Sequence, residues 1–255
     1  MDIRHLFDLT GRNAVVTGGS SGLGAAMAHA LAAAGASVLL VARGEHALGE
    51  AVRSLTGQGR QASAIRADLS DLESIPACCR AILDRLGRAD ILVNAAGVNT
   101  REPQAEVTPA SWNAQLALNL SAPFFMSQGL APAMATAGWG RIINLGSLQS
   151  FRAFPNGAHY GAAKGGIVQL TRALAQEWSP KGITCNALGP GFFPTALTAP
   201  VFNNPETVRR NAAQTCIGRN GQIEDIYGAT VFLASEASAY ITGQTIMLDG
   251  GFTSK

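Results

Sequence analysis

Hydrophobic and polar positions follow two alternating patterns along the chain. Short runs of β-branched and other apolar residues are each followed by a longer, Ala-rich segment in which apolar residues recur every three or four positions. This succession is typical of repeated strand–helix units around a parallel sheet. The predicted strands are Asn13–Thr17, Ser37–Val41, Gln61–Arg66, Ile91–Asn94, Gly140–Leu145, Ile183–Leu188 and Thr245–Leu248. The predicted helices are Leu23–Ala34, Glu45–Leu55, Asp71–Leu86, Thr108–Ala137, Tyr160–Ser179 and Ile223–Ala234.

These elements predict an α/β fold with a single doubly wound, parallel, seven-stranded sheet flanked by helices. No repeat and no linker interrupts the 255 residues, so we expect one domain over residues 1–255. The segment from Gly189 to about Arg219 lacks a regular pattern, holds four of the eleven prolines and follows a strand. We expect it to form a lid over a substrate site.

Composition excludes several classes of protein. Hydrophobic residues make up 47% and charged residues 14% of the chain, which excludes a disordered protein. The net charge of +2, without a run of Lys or Arg, argues against a nucleic-acid partner. No apolar leader and no stretch near the roughly 20 apolar residues of a membrane span is present, so we expect a cytoplasmic protein without membrane contact. Cys78, Cys79, Cys185 and Cys216 lack metal-ligand spacing, so we expect no metal.

A glycine-rich turn follows the first predicted strand and opens into a helix. It reads Thr17-Gly-Gly-Ser-Ser-Gly-Leu-Gly24. Glycines let the backbone approach a pyrophosphate, and the N–H groups of the helix N-terminus stabilise its charge. The position between strand and helix indicates dinucleotide binding rather than a merely structural turn. The candidate contacts are Gly18, Ser20, Ser21, Gly22, Leu23 and Gly24.

The residues after the second and third strands bear on which dinucleotide binds. An NAD-specific protein usually places a carboxylate after the second strand, whereas this chain has Arg43, which could clamp a 2′-phosphate. We therefore expect NADP, with NAD as the alternative because Glu45 could reach the ribose. Asp68 and Leu69 would lie at the adenine, although Asp68 could instead cap the following turn.

Tyr160 and Lys164 lie four residues apart in a predicted helix, so their side chains share a face. A tyrosine titrates near 10 and is a poor base at neutral pH. A nearby ammonium would lower the pKa of the phenol and make it useful in proton transfer. An isolated pair of this kind is usually an ordinary surface pair, so the other motifs decide its meaning.

With these motifs in order, the chain resembles the short-chain dehydrogenase/reductase family over essentially its whole length. Besides the glycine turn and Tyr160-x-x-x-Lys164, the matching residues are Asn94-Ala-Ala-Gly97, Asn119, Ser147, Pro190-Gly191 and Thr195. The resemblance implies a Rossmann-type fold, a catalytic set of Asn119, Ser147, Tyr160 and Lys164, and reversible oxidation of an alcohol to a ketone with NAD(P). It also implies cofactor contacts at Asn94, Ala95, Gly97, Tyr160, Lys164, Pro190, Gly191 and Thr195. Ala95 stands where the family more often has the second Asn of Asn-Asn-Ala-Gly. This difference removes one side-chain hydrogen bond from the sheet edge.

Within the family, the chain is most similar to polyol and sugar-acid dehydrogenases such as gluconate 5-dehydrogenase, on Leu6–Gly11 and Gly189–Thr198. The resemblance implies a polyol, sugar or sugar-acid substrate. Candidate substrate-facing residues flank the catalytic set or begin the lid; they are Asn99, Arg101, Gln149, Arg152, His159 and Phe193. Arg152 or Arg101 would pair with a substrate carboxylate.

Two alternatives remain open at this point. Phe192, Phe193 and Phe202 in the lid would also suit a reductase of 3-ketoacyl thioesters or of small hydrophobic ketones. A non-catalytic dinucleotide sensor could use the same fold.

As in many relatives, we expect a homotetramer, because two predicted helices carry apolar residues beyond one face. These residues are Phe124, Phe125, Ile167, Leu170 and Leu174.

Overall fold

The computed structural model describes residues 2–255, and the strands lie close to the predicted positions. They are β1 (Asn13–Thr17), β2 (Ser37–Ala42), β3 (Ala62–Arg66), β4 (Ile91–Asn94), β5 (Gly140–Leu145), β6 (Ile183–Pro190) and β7 (Thr245–Leu248). All seven belong to one parallel sheet in the order β3-β2-β1-β4-β5-β6-β7. The predicted doubly wound seven-stranded sheet is therefore confirmed.

Helices cover both faces of this sheet. They are α1 (Gly22–Ala33), α2 (Glu45–Thr56), α3 (Ile75–Leu86), α4 (Pro109–Leu116), α5 (Ala122–Ala137), α6 (Ala158–Trp178), α7 (Ala199–Phe202), α8 (Pro205–Gln214) and α9 (Asp225–Ala234). The strand order reverses between β1 and β4, which opens a crevice at the carboxyl edge of the sheet. Ligands bind at this point in open α/β sheets.

The core has two apolar layers, one on each face of the sheet. Alternate strand residues point to opposite faces. Val15 therefore belongs to the layer that contains Leu130 of α5, whereas Val16 belongs to the layer that contains Leu31 of α1. The central strands are apolar on both faces because helices cover both.

The long helix predicted over Thr108–Ala137 is wrong as a continuous α-helix. A π-helical turn at Ala117–Ser121 separates α4 from α5. The Ala122 N–H donates to the Ala117 carbonyl, one residue further back than in an α-helix. The hydrophobic pattern continues across such a bulge, so periodicity does not reveal it. The bulge contains Asn119, one of the predicted catalytic residues.

Two further expectations need correction. The segment from Gly189 to about Arg219 is partly regular, since it contains α7 and α8. The apolar face expected to meet a partner subunit is also smaller than predicted, because Ile167 and Leu174 are buried within their own chain. Phe124 is 38% exposed and Trp112 37% exposed, so these aromatic side chains remain open on α5 and α4.

Three of the four cysteines are buried, and burial raises the pKa of Cys78 to about 11 and those of Cys79 and Cys185 to about 12. These thiols are therefore protonated and unreactive at neutral pH. No cluster of His, Cys, Asp and Glu suited to a metal ion occurs within residues 2–255. In the same part of the chain, every helix is too short or too polar to cross a bilayer.

Candidate active site

A cavity of about 250 Å³ opens at the carboxyl edge of the sheet. Its walls come from the turns after β1, β4, β5 and β6 and from the start of α6. The predicted site residues in its lining are Gly18, Ser20, Ser21, Gly22, Leu23, Gly24, Ala95, Gly97, Asn99, Arg101, Asn119, Ser147, Gln149, Tyr160, Lys164, Pro190, Gly191, Phe193 and Thr195. Motifs that are far apart in the sequence thus meet in one crevice.

Two hydrogen bonds fasten the predicted catalytic pair to the end of β5. Lys164 Nζ donates to the Leu145 carbonyl at 2.7 Å, and Ser150 Oγ donates to the Lys164 carbonyl at 2.8 Å. Ser147 lies two residues beyond Leu145, and Tyr160 lies one helical turn before Lys164. The same contacts therefore bring the Ser147 hydroxyl and the Tyr160 phenol together.

The local hydrogen bond of Ser147 uses its hydroxyl oxygen as an acceptor and leaves the O–H to act as a donor. Ser147 Oγ accepts from the Gln149 N–H at 3.1 Å, at the start of a short turn over Leu148–Ser150. An oxygen that already accepts a hydrogen bond can direct its own O–H elsewhere. The hydroxyl is thus suited to stabilise a substrate oxygen in the cavity.

The ionisation of Tyr160 and Lys164 differs from the expectation based on their spacing. Burial raises the pKa of the Tyr160 phenol above its usual value, while a hydrogen bond with Ser147 acts in the opposite direction. Burial also lowers the pKa of Lys164 to about 8. Lys164 Nζ lies 5.7 Å from the centre of the Tyr160 ring and is bonded to Leu145 instead. The net shift of the phenol pKa is therefore upward, opposite to the direction expected from the spacing, because burial outweighs any lowering by neighbouring groups.

Asn119 projects from the π-helical turn, with its amide nitrogen donating to Val98 O and Gln115 O at 2.9 and 3.0 Å. Its Oδ1 is buried and has no hydrogen-bond partner among residues 2–255. A Cβ on Gly97 would lie 2.7 Å from this oxygen and 3.9 Å from Lys164 Nζ. Glycine at position 97 therefore keeps a polar gap open between Asn119 and Lys164.

The glycine turn fits a bound dinucleotide phosphate. Gly18 and Gly22 have φ values of +66° and +55°, which favour glycine. A Cβ on Gly24 would clash with the Gly18 carbonyl, so the turn is as tight as the predicted motif requires. Ser21, the N-cap of α1, makes no side-chain capping bond. The first N–H groups of α1 are therefore available to an anion at the cavity.

The predicted Thr195 contact lies beside the glycine turn, because a Cβ on Gly22 would lie 3.6 Å from Thr195. Thr195 begins a short helical turn over Ala196–Thr198, four residues after Gly191, which follows the end of β6 at Pro190. The start of the predicted lid and the phosphate turn thus face each other across the crevice.

Two predicted cofactor contacts point away from the cavity. The side chain of Asn94 is 3% exposed, and its Nδ2 donates to Asn144 Oδ1 at 2.9 Å, which links β4 to β5 inside the fold. Leu69 is 3% exposed and packs in the apolar core. These side chains satisfy interior partners, so a cofactor contact at Asn94 or Leu69 stays a prediction that only their backbone atoms could fulfil.

Asp68 caps the turn that follows β3, as its alternative interpretation held. Its Oδ1 accepts from the Ser70 N–H and hydroxyl at 3.0 and 2.6 Å, and the Ser70 hydroxyl does most to lower the pKa of Asp68. Its other oxygen lies 3.8 Å from Arg43 Nη1. Asp68 and Arg43 lie outside the cavity lining, at the adenine end expected from the sheet order.

Arg43 has a basic neighbour that sequence reasoning missed. Arg66 ends β3 directly beside Ala42 of β2, and its Nε donates to the Arg43 carbonyl at 3.1 Å. The Gly18 N–H donates to the Val41 carbonyl at 2.8 Å, which ties the glycine turn to this strand end. Two exposed guanidinium groups therefore lie where the second strand meets the phosphate turn.

The substrate-facing candidates separate into two groups. Asn99, Arg101, Gln149 and Phe193 line the cavity, with Arg101 exposed at its mouth.

Arg152 and His159 do not line the cavity, and their predicted substrate contacts are wrong. Arg152 Nη1 donates to the Lys255 carbonyl at 3.0 Å outside the cavity. His159 is fully buried, and its Nδ1 accepts from the Tyr160 N–H at 2.9 Å. The helical turn directs His159 away from the side that Tyr160 presents.

Aromatic residues form an apolar wall that the sequence only partly indicated. Phe154 and Phe192 line the cavity beside Phe193. The ring centres of Phe154 and Phe192 lie 6.1 Å apart, and Phe252, near the C-terminal end of the chain, packs against both rings. Phe154 lies between the Ser147 and Tyr160 motifs, but no local pattern distinguishes it from an ordinary loop residue.

Comparison with known proteins agrees with this geometry. A family model described as enoyl-(acyl carrier protein) reductase matches residues 18–253. Gluconate 5-dehydrogenase of Gluconobacter oxydans (strain 621H) is 38% identical over 248 residues, 97% of each chain. Galactitol 2-dehydrogenase (L-tagatose-forming) of Cereibacter sphaeroides is 37% identical over 255 residues, 99% of each chain.

A solved structure extends the similarity to the backbone. Gluconate 5-dehydrogenase from Burkholderia cenocepacia J2315, in complex with NADP and tartrate, is 36% identical, covers 99% of each chain and has a TM-score of 0.95. Motifs, fold and similarity over nearly the whole length together show that the chain belongs to the short-chain dehydrogenase/reductase family, NAD(P)-dependent oxidoreductases that act on CH–OH groups.

Proposed function

We propose that this protein interconverts a secondary alcohol and a ketone on a sugar acid or polyol, with NADP(H) and with gluconate-type acids as the favoured class. The observation that carries the proposal is the meeting of Ser147, Tyr160 and Lys164 in a cavity that also contains the glycine turn. The enzyme relatives named above act, by their names, on gluconate and galactitol.

In the proposed mechanism, Ser147 donates a hydrogen bond to the substrate oxygen and Tyr160 transfers the proton. During ketone reduction the phenol gives its proton to that oxygen, and during alcohol oxidation the phenolate takes it back. When bound, the nicotinamide supplies or accepts the hydride. The Lys164 ammonium stabilises the charge left on the phenol oxygen, and Asn119 Oδ1 borders the same gap at Gly97 as Lys164 Nζ.

Replacement of Tyr160 by phenylalanine removes the proposed proton donor but keeps the ring. We expect kcat for ketone reduction to fall by at least about 100-fold, the usual contribution of a positioned acid. NADPH affinity, measured by fluorescence titration, should change little. Undiminished catalysis by the correctly folded Tyr160→Phe variant would contradict the mechanism.

The ionisation of Lys164 predicts a pH dependence. Burial lowers the pKa of Lys164 to about 8, so the ammonium is present below this pH and is lost above it. Because burial raises the pKa of Tyr160, the phenol keeps its proton in the same range. We expect kcat/KM for ketone reduction to fall as the pH rises through about 8. Alcohol oxidation needs the phenolate and should instead increase with pH. A reduction rate that is constant from neutral to alkaline pH would disprove this assignment.

Arg43 and Arg66 support the preference for NADP over NAD. A guanidinium group binds a phosphate through two parallel hydrogen bonds, and Arg43 lies two residues beyond the strand position that bonds the glycine turn. The related enzyme from Burkholderia cenocepacia is in complex with NADP.

Removal of the Arg43 side chain should change the preference of the enzyme between NADPH and NADH. For Arg43→Ala we expect kcat/KM for NADPH to fall by about tenfold, the order expected for one lost charge-assisted hydrogen bond, with little change for NADH. Arg60→Ala removes an exposed guanidinium at the opposite end of β3 and is the matched control. If Arg43→Ala and Arg60→Ala give equal NADPH-to-NADH ratios, Arg43 does not bind the 2′-phosphate.

Charge in the cavity favours an acid over a neutral polyol. Arg101 and Lys164 contribute positive charge to its lining, and no carboxylate of residues 2–255 lines it. Because Lys164 is bonded to Leu145 in the interior, Arg101 is the available partner for a substrate carboxylate.

Arg101→Ala should therefore lower kcat/KM for gluconate by about 10-fold to 100-fold and leave sorbitol and xylitol nearly unchanged. Arg101→Lys keeps the charge and should retain part of the discrimination. Steady-state assays at 340 nm with the three substrates measure the effect. Equal losses of kcat/KM for gluconate and for the two polyols would show that Arg101 does not bind the substrate carboxylate.

The wall of Phe154, Phe192 and Phe193 supports a second candidate, a reductase of 3-ketoacyl thioesters or small hydrophobic ketones. A higher kcat/KM for such a ketone than for 5-ketogluconate would favour it. Turnover of any of these substrates would exclude a non-catalytic sensor.

We further propose a cytoplasmic homotetramer formed by one catalytic domain per chain, with residues 189–219 as the substrate lid. The exposed rings of Phe124 and Trp112 on neighbouring helices support a subunit contact.

A further inference from the structure

We propose that Glu102 and His159 are positioning residues that hold the loop carrying Asn99 and Arg101 against the start of the helix carrying Tyr160. The inference rests on the proposed function, because it concerns how that same site discriminates its substrate. Neither residue touches the cavity. Each is the immediate neighbour, along the chain, of a residue that does.

The start of α6 requires an unusual cap. Gly157, its N-cap residue, has no side chain to accept from the first N–H groups of the helix. His159 takes over this function from inside the first turn, because its Nδ1 accepts from the Tyr160 N–H at 2.9 Å. The acceptor role of Nδ1 places the proton of a neutral imidazole on Nε2.

The Nε2 of His159 faces Glu102. Glu102 Oε2 lies 3.3 Å from this nitrogen, with the imidazole fully buried and the carboxylate side chain 24% exposed. The contact lies within ion-pair distance but lacks hydrogen-bond geometry, and neither atom has a hydrogen-bond partner among residues 2–255. A buried polar atom of this kind is costly without a partner, so the two groups depend on each other.

A second contact joins the same two segments. The Glu102 N–H donates to the Asn156 carbonyl at 3.1 Å. Asn156 is the one residue other than glycine with a positive φ in the described chain, +59°, so the backbone there has a specific, turned conformation. Side chain and backbone of Glu102 thus fix the loop before α4 to the loop before α6.

This link sets the distance between carboxylate recognition and proton transfer. Arg101 directly precedes Glu102, and Tyr160 directly follows His159. Asn99, on the same loop as Arg101, has a buried Oδ1 without a partner in residues 2–255 and lines the cavity. Release of Glu102 should displace Arg101 and Asn99, whereas Tyr160 keeps its cap on His159. The effect should therefore appear in KM rather than in kcat.

Kinetics of Glu102 variants with gluconate test this link. For Glu102→Ala we expect KM to rise about tenfold with kcat changed by less than about twofold. Glu102→Gln keeps an acceptor for Nε2–H and should restore KM. Glu106→Ala removes an exposed carboxylate four residues later and should have no effect. An unchanged KM in Glu102→Ala, or equal KM values for the Ala and Gln variants, would overturn the proposal.

A double-mutant cycle adds an independent criterion. His159→Asn can keep an acceptor near the Tyr160 N–H but is too short to reach Glu102. We expect its KM effect to match that of Glu102→Ala and not to add to it in the double variant, as for partners in one interaction. Additive effects would show that the two residues act separately.

A spectroscopic measurement keeps the inference separable from the proposed function. Nitrogen-15 spectra of the four histidines, assigned with His159→Asn, should show His159 with an unprotonated Nδ1 and a protonated Nε2. Glu102→Ala should alter the Nε2 signal and leave Nδ1 hydrogen-bonded. A wild-type enzyme without turnover of sugar acids would refute the proposed function, while a protonated Nδ1 or an unaltered Nε2 signal would refute the link.

Discussion

The hydrogen bond from Lys164 to the Leu145 carbonyl is the contact on which the rest of the site depends. It joins the end of β5 to the second turn of α6 at 2.7 Å, and Lys164 as a whole residue is only 4% exposed there. A buried charge requires such a partner, so α6 can dock in few other positions. Because Ser147 and Tyr160 are close in sequence to the two partners, one bond brings hydroxyl and phenol into the same crevice.

Burial also shifts the pKa values of Tyr160 and Lys164 in opposite directions. The interior favours the neutral form of each group, which raises the pKa of the phenol and lowers that of the ammonium. The protein without ligands therefore holds Tyr160 as a proton donor rather than as a base. An anionic substrate and an anionic cofactor suit the positive charge of the cavity, and their binding would favour the charged form of Lys164.

The parts of this structure that could be predicted from sequence are those specified by neighbouring residues. The glycine turn, the Tyr160-x-x-x-Lys164 spacing and the strand positions are local patterns, and the parallel sheet places them at one edge. Residues whose surroundings come from distant segments were harder to interpret. Asn94 and Leu69 face interior partners from other elements, and the bulge at Asn119 leaves the hydrophobic pattern intact. The position of His159 beside Tyr160 in the sequence predicts a substrate contact, but the helix directs His159 towards Glu102.

The most direct test of the account is the ionisation of the Tyr160 phenol itself. The chain has three tyrosines, so carbon-13 labelling of the ring Cζ atoms, with Tyr160→Phe for assignment, isolates one signal. In the ligand-free enzyme the account predicts that Tyr160 remains protonated beyond the usual value of about 10, because burial opposes the phenolate. A Tyr160 signal that titrates near neutral pH would contradict the account and would restore Lys164 as the group that makes the phenol acidic.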